Sequence, residues 1–171
     1  MRIILFALLA CLPLFAISEK TDTMKADFVQ TITDDKNSTI TYSGNMLAKR
    51  PNMALWHYKK PIEKSVYITA ESVTIVEPEL EQAIVKRLGD SIDILAILAS
   101  AKKDAKNSYS VLYDNKEYHV DMQGNMIKAI SYTDPFDNLV KIVFSAQQIN
   151  NNIDDNRFRA DIPADFDIIK D

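Results

Sequence analysis

The chain has 171 residues, 24 of them acidic and 20 basic, which gives a formal net charge of −4. That length suits one domain, and the acidic balance argues against a nucleic-acid-binding surface, which needs cations that release the phosphate counterions. The three glycines, Gly44, Gly89 and Gly124, lie too far apart to form a phosphate-binding loop.

The first eighteen residues have the pattern of a secretory signal peptide. Arg2 supplies the positive charge, Ile3 to Ala16 is almost entirely apolar, and small residues follow. We expect cleavage after Ser18 or after Ala16, which leaves residues 19–171 as a single exported domain.

The only cysteine, Cys11, lies inside this leader. The sequence Leu8-Leu9-Ala10-Cys11 resembles a lipobox, but few apolar residues precede the cysteine and the apolar run continues past it. We therefore expect the cysteine to be removed with the leader and the mature chain to lack disulfides. A mature N-terminus lipidated at Cys11 is the alternative.

From Lys25 onward the sequence predicts about eleven short β-strands in one antiparallel meander. Polar and apolar residues alternate, and β-branched or aromatic residues recur between breaks rich in Asn, Asp, Gly and Pro. Gly44 is expected at a bulge or bend. The predicted strands are Ala26 to Ile32, Ile40 to Ala48, Met53 to Tyr58, Val66 to Thr69, Val73 to Val76, Ala83 to Val85, Tyr109 to Tyr113, Glu117 to Met122, Ile127 to Thr133, Leu139 to Gln148 and Phe158 to Ile162.

One apolar segment interrupts the strands and predicts a helix. Asp90 or Ser91 can cap it, and the cations Lys102 and Lys103 suit its end. About eleven strands in one sheet will curl, and the concave face must then be filled, covered or occupied by a ligand. A single helix offers little covering, so this pattern is compatible with a ligand cavity and equally with a closed, dry core.

Several motifs resemble those of the periplasmic outer-membrane lipoprotein carrier family, LolA. The segment from Lys49 to Tyr58, KRPNMALWHY, matches the family signature K-R-P-x-x-x-x-W-x-Y. The other matching segments follow in the family's order: Phe28-Val29-Gln30-Thr31, Lys60-Pro61, Val76 to Ala83 and Phe158 to Asp167. The similarity spans residues 26 to 168.

The resemblance implies a mainly β (α+β) fold, with one strongly curved antiparallel sheet that forms an incomplete barrel under a short helical lid. It implies a periplasmic carrier that holds the acyl chains of lipid-modified proteins in an apolar cavity. The cargo would come from an inner-membrane ATP-driven transporter and go to an outer-membrane receptor or to the outer membrane itself.

The carboxylates form no recognisable catalytic motif and no serine lies in a nucleophile elbow, so we expect no catalytic activity and no cofactor. We also expect a monomer that binds no nucleic acid. Two alternatives stay open. One is the outer-membrane lipoprotein receptor of the same pathway, lipidated at Cys11, and the other is a structural or adaptor β-domain with a dry core.

Arg50 is the principal candidate residue, because the matching arginine of the family bonds lid carbonyls in the closed, empty form. The candidate lid residues are Ile94, Leu95 and Leu98 of the predicted helix. The candidate cavity residues are Phe28, Met46, Met53, Ala54, Trp56 and Tyr58.

Three further observations qualify these candidates. Ala54 is smaller than the bulky apolar residue that the family often carries, and only Glu19 to Met24 remain for the family's N-terminal helix. His57 and His119 fall on separate strands without a companion ligand, so no metal site is expected.

Overall fold

The computed structural model describes residues 21–87, 102–105, 107–113, 115–124 and 126–170. The predicted signal peptide and the predicted lid helix with Ile94, Leu95 and Leu98 lie outside the described residues. The described part is one twelve-stranded sheet. The strands are β1 Thr23–Thr33, β2 Thr39–Lys49, β3 Met53–Lys60, β4 Lys64–Ile68, β5 Ser72–Glu77, β6 Gln82–Arg87, β7 Lys102–Ala105, β8 Ser108–Tyr113, β9 Lys116–Gln123, β10 Met126–Thr133, β11 Leu139–Ile149 and β12 Asp167–Lys170.

The strand order is β12-β6-β5-β4-β3-β2-β1-β11-β10-β9-β8-β7. Strands β1 to β6 occupy successive positions from the centre of the sheet toward one edge. Strands β7 to β11 occupy successive positions from the other edge back to the centre, where β11 pairs with β1. Eleven strands pair antiparallel, and only β12 pairs parallel, with β6. The edges β12 and β7 do not pair with each other, so the described sheet stays open. The mainly β class, with a curved and unclosed sheet, is confirmed.

Three local predictions were wrong. The sheet is two meanders joined through β1 and β11 rather than a single one. Lys102 and Lys103, expected at a helix end, lie in β7. The expected strand from Phe158 to Ile162 does not form.

The segment before β12 forms a turn because its polar side chains satisfy the backbone locally. Asp155–Phe158 is a single 3₁₀ turn, in which the Asp154 side chain accepts a hydrogen bond from the Asn156 N–H. Pro163, which lacks an N–H, follows this turn. None of the helical turns in the described part of the chain has the length and apolar character needed to span a membrane.

Contacts between side chains on distant strands show that the sheet is strongly curved. Trp56 on β3 and Phe144 on β11 are three strands apart, which is roughly 14 Å in a flat sheet. Their ring centroids are only 6.3 Å apart. The strands therefore bend toward each other, and every second side chain of the central strands faces the enclosed, concave side.

A second, smaller apolar cluster covers the outer face of the sheet. Leu47, Ile153 and Phe158 are buried there, and the Lys49 ammonium donates to the Ile153 carbonyl at 2.8 Å and pairs with Asp155 at 2.6 Å. These contacts fix the segment after β11 across the back of β2 and β3.

Gly44 on β2 lies against the backbone of β3. The register of the β2–β3 pair shifts between Ser43 and Gly44, as expected for a bulge. A Cβ atom at position 44 would collide with the carbonyl oxygen of His57. This position therefore requires glycine because of the neighbouring backbone.

We predict that Gly44→Ala destabilises the fold by about 1–3 kcal/mol, the usual cost of overpacking. Equilibrium urea unfolding of the two proteins measures this difference. Ser43→Ala is the matched control and should change the unfolding free energy by less than about 0.5 kcal/mol. Equal stabilities for Gly44→Ala and wild type would contradict the proposed close contact.

Candidate functional site

The concave face carries the main apolar cluster of the protein. Its buried side chains come from β1, β2, β3, β4, β8, β9, β10 and β11 and include Phe28, Met46 and Tyr118. Phe28 is 2% exposed, and Met46 is fully buried. Because these strands pair in register, the cluster is continuous across the curved sheet.

Aromatic rings form the centre of this cluster. The Phe28 ring lies 5.0 Å from the Trp56 ring and 5.0 Å from the Tyr58 ring, in edge-on geometry with both. Such pairs stabilise by about 0.5–1.5 kcal/mol beyond the burial of their surface. Trp56 is the only tryptophan of the chain, so its fluorescence reports on the concave interior.

One end of the concave face is apolar. It lies beside the β2–β3, β4–β5 and β9–β10 turns, and we call it the apolar end. Met24 is 1% exposed, Met122 is 7% exposed, and Ile68 and Ala48 are also buried there. Methionine is unbranched and adaptable, so its side chains can accommodate apolar partners of varied shape.

The opposite end of the concave face carries polar groups. It lies beside the β1–β2, β3–β4 and β10–β11 turns, and we call it the tyrosine end. The Tyr58 hydroxyl donates a 2.9 Å hydrogen bond to the Gln30 side-chain oxygen, and Gln30 is only 8% exposed. The Lys64 ammonium lies 4.9 Å from the Tyr58 ring centroid and 5.5 Å from that of Tyr42, within reach of cation–π attraction.

Tyr58 and Tyr132, at this end, are neutral at physiological pH. Burial raises the pKa of Tyr58, and the neighbouring Tyr132 and Tyr42 raise it further. Burial, followed by Tyr118 and Asp134, raises the pKa of Tyr132 to about 12. Both hydroxyls therefore keep their protons and can donate hydrogen bonds.

Arg50 follows β2 at the apolar end. Its backbone N–H donates to the Asp22 carbonyl at 2.9 Å, which joins the β2–β3 turn to the residue before β1. The Nε atom of Arg50 is buried. The latch role involves a lid outside the described residues and remains a prediction.

The structure brings together five of the six candidate cavity residues. Phe28, Met46 and Trp56 are buried in the concave cluster, and Ala54 and Tyr58 pack against it. Met53 does not join them. Side chains alternate along β3, so Met53 lies on the outer face, beside Leu47 and Phe158.

The sequence reasoning missed the polar members of the concave face, Gln30, Tyr42, Lys64 and Tyr132. Gln30 follows Phe28 by two residues and so faces the same side, which is a signal that the sequence did contain. Tyr132 could be placed only through the pairing of β10 with β11. The segment left for an N-terminal helix also contributes to the sheet, since Thr23 and Met24 belong to β1.

A separate pocket of about 460 Å³ lies on the outer face, between the sheet and the segment after β11. Lys25, Leu47, Leu55 and Arg157 are among its lining residues. The charged side chains in its wall distinguish it from the concave interior. No group of three or more metal-ligating side chains occurs within the part of the chain that the structure describes.

Comparison with known proteins supports the resemblance. Residues 19–123 match the family model described as outer membrane lipoprotein carrier protein LolA. The outer-membrane lipoprotein carrier protein of Campylobacter jejuni is 36% identical over 92% of this chain and 92% of its own length. That of Wolinella succinogenes is 34% identical, with 91% of each chain covered.

Among solved structures, an uncharacterized conserved protein from Thermus thermophilus has a TM-score of 0.56 at 9% sequence identity. The alignment covers 89% of this chain and 92% of that one, and it concerns the fold alone. Because the family model spans more than half of the residues and the relatives span nearly all of them, this chain belongs to the LolA family of outer-membrane lipoprotein carrier proteins.

Proposed function

We propose that this protein is a periplasmic carrier that binds the acyl chains of lipid-modified proteins against its concave face. The observation that carries the proposal is the continuous cluster of aromatic and methionine side chains across that face. Membership of the LolA family and the name of the relatives support the cargo class.

The free energy of exposing lipid to water explains why such a carrier is needed. Burial of acyl chains contributes about 0.8 kcal/mol per methylene. Transfer of a chain of about 14 methylenes from the membrane into water therefore costs about 11 kcal/mol of free energy. A concave apolar face offsets that cost during passage between two membranes. The outer pocket is a weaker candidate, since Lys25 and Arg157 line it.

The proposal extends to localisation and partners. A leader over residues 1–18 would export the protein to the periplasm. An inner-membrane ATP-driven transporter would supply the lipoproteins, and an outer-membrane receptor or the membrane itself would accept them. The net charge of −4 on the whole chain suits a protein that has to leave anionic membrane surfaces after each delivery.

Arg50 is proposed to set the balance between loading and release. Its position at the apolar end, its buried Nε atom and its place in the K-R-P motif support this role. Arginine always carries its charge and has five N–H donors. Bonds from this guanidinium to a lid would favour the closed, empty form and so expel the cargo.

Trp56 emission tests whether acyl chains enter the concave face. We expect a triacylated lipopeptide to change the emission of the purified protein, whereas the same peptide without acyl chains leaves it unchanged. The matched control is the double variant Trp56→Phe/Leu55→Trp, which moves the reporter to the outer face. Its emission should not respond to the lipopeptide. A response only in this double variant would place the lipid on the wrong face and contradict the proposal.

Release measurements test the latch. Charged hydrogen bonds contribute about 1.5–3 kcal/mol each, so we expect Arg50→Leu to release a bound lipoprotein to acceptor membranes at least about tenfold more slowly. Arg159→Leu, which removes an exposed arginine near the C-terminus, is the control and should release at the wild-type rate. Wild-type release by Arg50→Leu would refute the latch.

A further inference from the structure

The polar atoms at the tyrosine end, namely the tyrosine hydroxyls and the Gln30 amide, are not needed to hold hydrocarbon. Gln30 is buried at an inward-facing position of the central strand β1, between Phe28 and Ile32 on the same face. An apolar residue there would continue the cluster without a desolvation cost. A buried carboxamide therefore calls for a polar partner, and the Tyr58 hydroxyl provides only one.

The Gln30–Tyr58 pair leaves hydrogen-bonding capacity unused. Because the Gln30 oxygen accepts from Tyr58, the amide nitrogen retains two donors. Among the residues that the structure describes, neither this nitrogen nor the Tyr132 hydroxyl has a hydrogen-bond partner. The amide N–H groups of Gln30 and the O–H group of Tyr132 can therefore donate to a ligand that accepts hydrogen bonds.

The arrangement along the strands gives the ligand a direction. The apolar end holds Met24, Met46 and Met122, and the tyrosine end lies at the other end of the same strands. An acyl chain joined to a protein ends in an ester or amide carbonyl, which accepts hydrogen bonds but carries no charge. Such a molecule matches the concave face when its hydrocarbon lies at the apolar end and its carbonyl group lies at the tyrosine end.

We propose that the amide N–H groups of Gln30 and the hydroxyl of Tyr132 bind the ester and amide carbonyls through which acyl chains join the cargo. The Tyr58 hydroxyl holds the Gln30 oxygen, and the chains extend toward the methionines of the apolar end. This inference rests on the proposed carrier function and adds the orientation of the cargo. The protein part of the cargo then leaves beside the β1–β2 and β10–β11 turns. Lys64, held over two tyrosine rings, lies on the exit side of these groups.

The raised pKa values of the tyrosines agree with this assignment. A phenol that stays protonated donates to a carbonyl, whereas a phenolate would repel it. Burial raises the pKa of Tyr58, which keeps the proton that it donates to Gln30, and the pKa of Tyr132, which keeps its own donor. The site therefore favours a neutral ester or amide.

The double variant Gln30→Met/Tyr58→Phe tests the proposal. Removing both partners of a buried hydrogen bond leaves no unsatisfied group, so the variant should keep its fold. Two probes are compared: a triacylated lipopeptide, which has carbonyl groups, and N-phenyl-1-naphthylamine, which is apolar and has none. The dye is titrated directly by its fluorescence, and the lipopeptide is measured by its displacement of the dye.

We expect the double variant to bind the dye with wild-type affinity and the lipopeptide about tenfold more weakly, as for the loss of one or two hydrogen bonds. Tyr67→Phe, on the outward-facing side of β4 opposite Leu55, is the matched control and should bind both probes normally. Equal weakening for both probes, or unchanged lipopeptide affinity, would overturn the carbonyl site. A wild-type protein that binds neither probe would instead refute the carrier function on which the site rests.

Discussion

The two halves of this protein are held together by strand β1. It pairs with β2 along its whole length and with β11 on its other edge, and no other pairing joins the two meanders within the described sheet. From Asp27 onward, where the pairing has no register shift, the alternation of side chains along β1 sets the face that each paired residue occupies. Phe28 and Gln30 are two residues apart and therefore share the inward face of β1. The residues that pair with them on β2 and β11 face the same side.

This register explains why the concave face is divided. Near Met24 the inward positions of the adjacent strands are apolar, whereas near Gln30 they include Tyr42, Tyr58 and Tyr132. Lipid carriers have to meet two opposing demands, since hydrocarbon must be shielded from water and yet released. We propose that the apolar end serves the first demand and that the second depends on Arg50.

Most of the sheet could be predicted from the sequence, because alternation and turn residues are local signals. Gly44 and the neighbouring strands predicted at Val73 to Val76 and Ala83 to Val85 are examples of this. The order of the strands could not be predicted, since the pairing of β1 with β11 joins segments that are far apart in the chain. The turn at Asp155–Phe158 was missed because Phe158 looks like a strand residue, although its side chain packs on the outer face.

The methionines offer the most direct test of where the acyl chains lie. Met24, Met46 and Met122 are buried in the concave cluster, whereas Met53 lies on the outer face and Met126 is 48% exposed. A lipopeptide with a nitroxide on one acyl chain can be added to protein carrying ¹³C-labelled methionine methyl groups. We expect the signals of the three concave methionines to broaden while those of Met53 and Met126 persist. Broadening of Met53 with unchanged concave signals would contradict it.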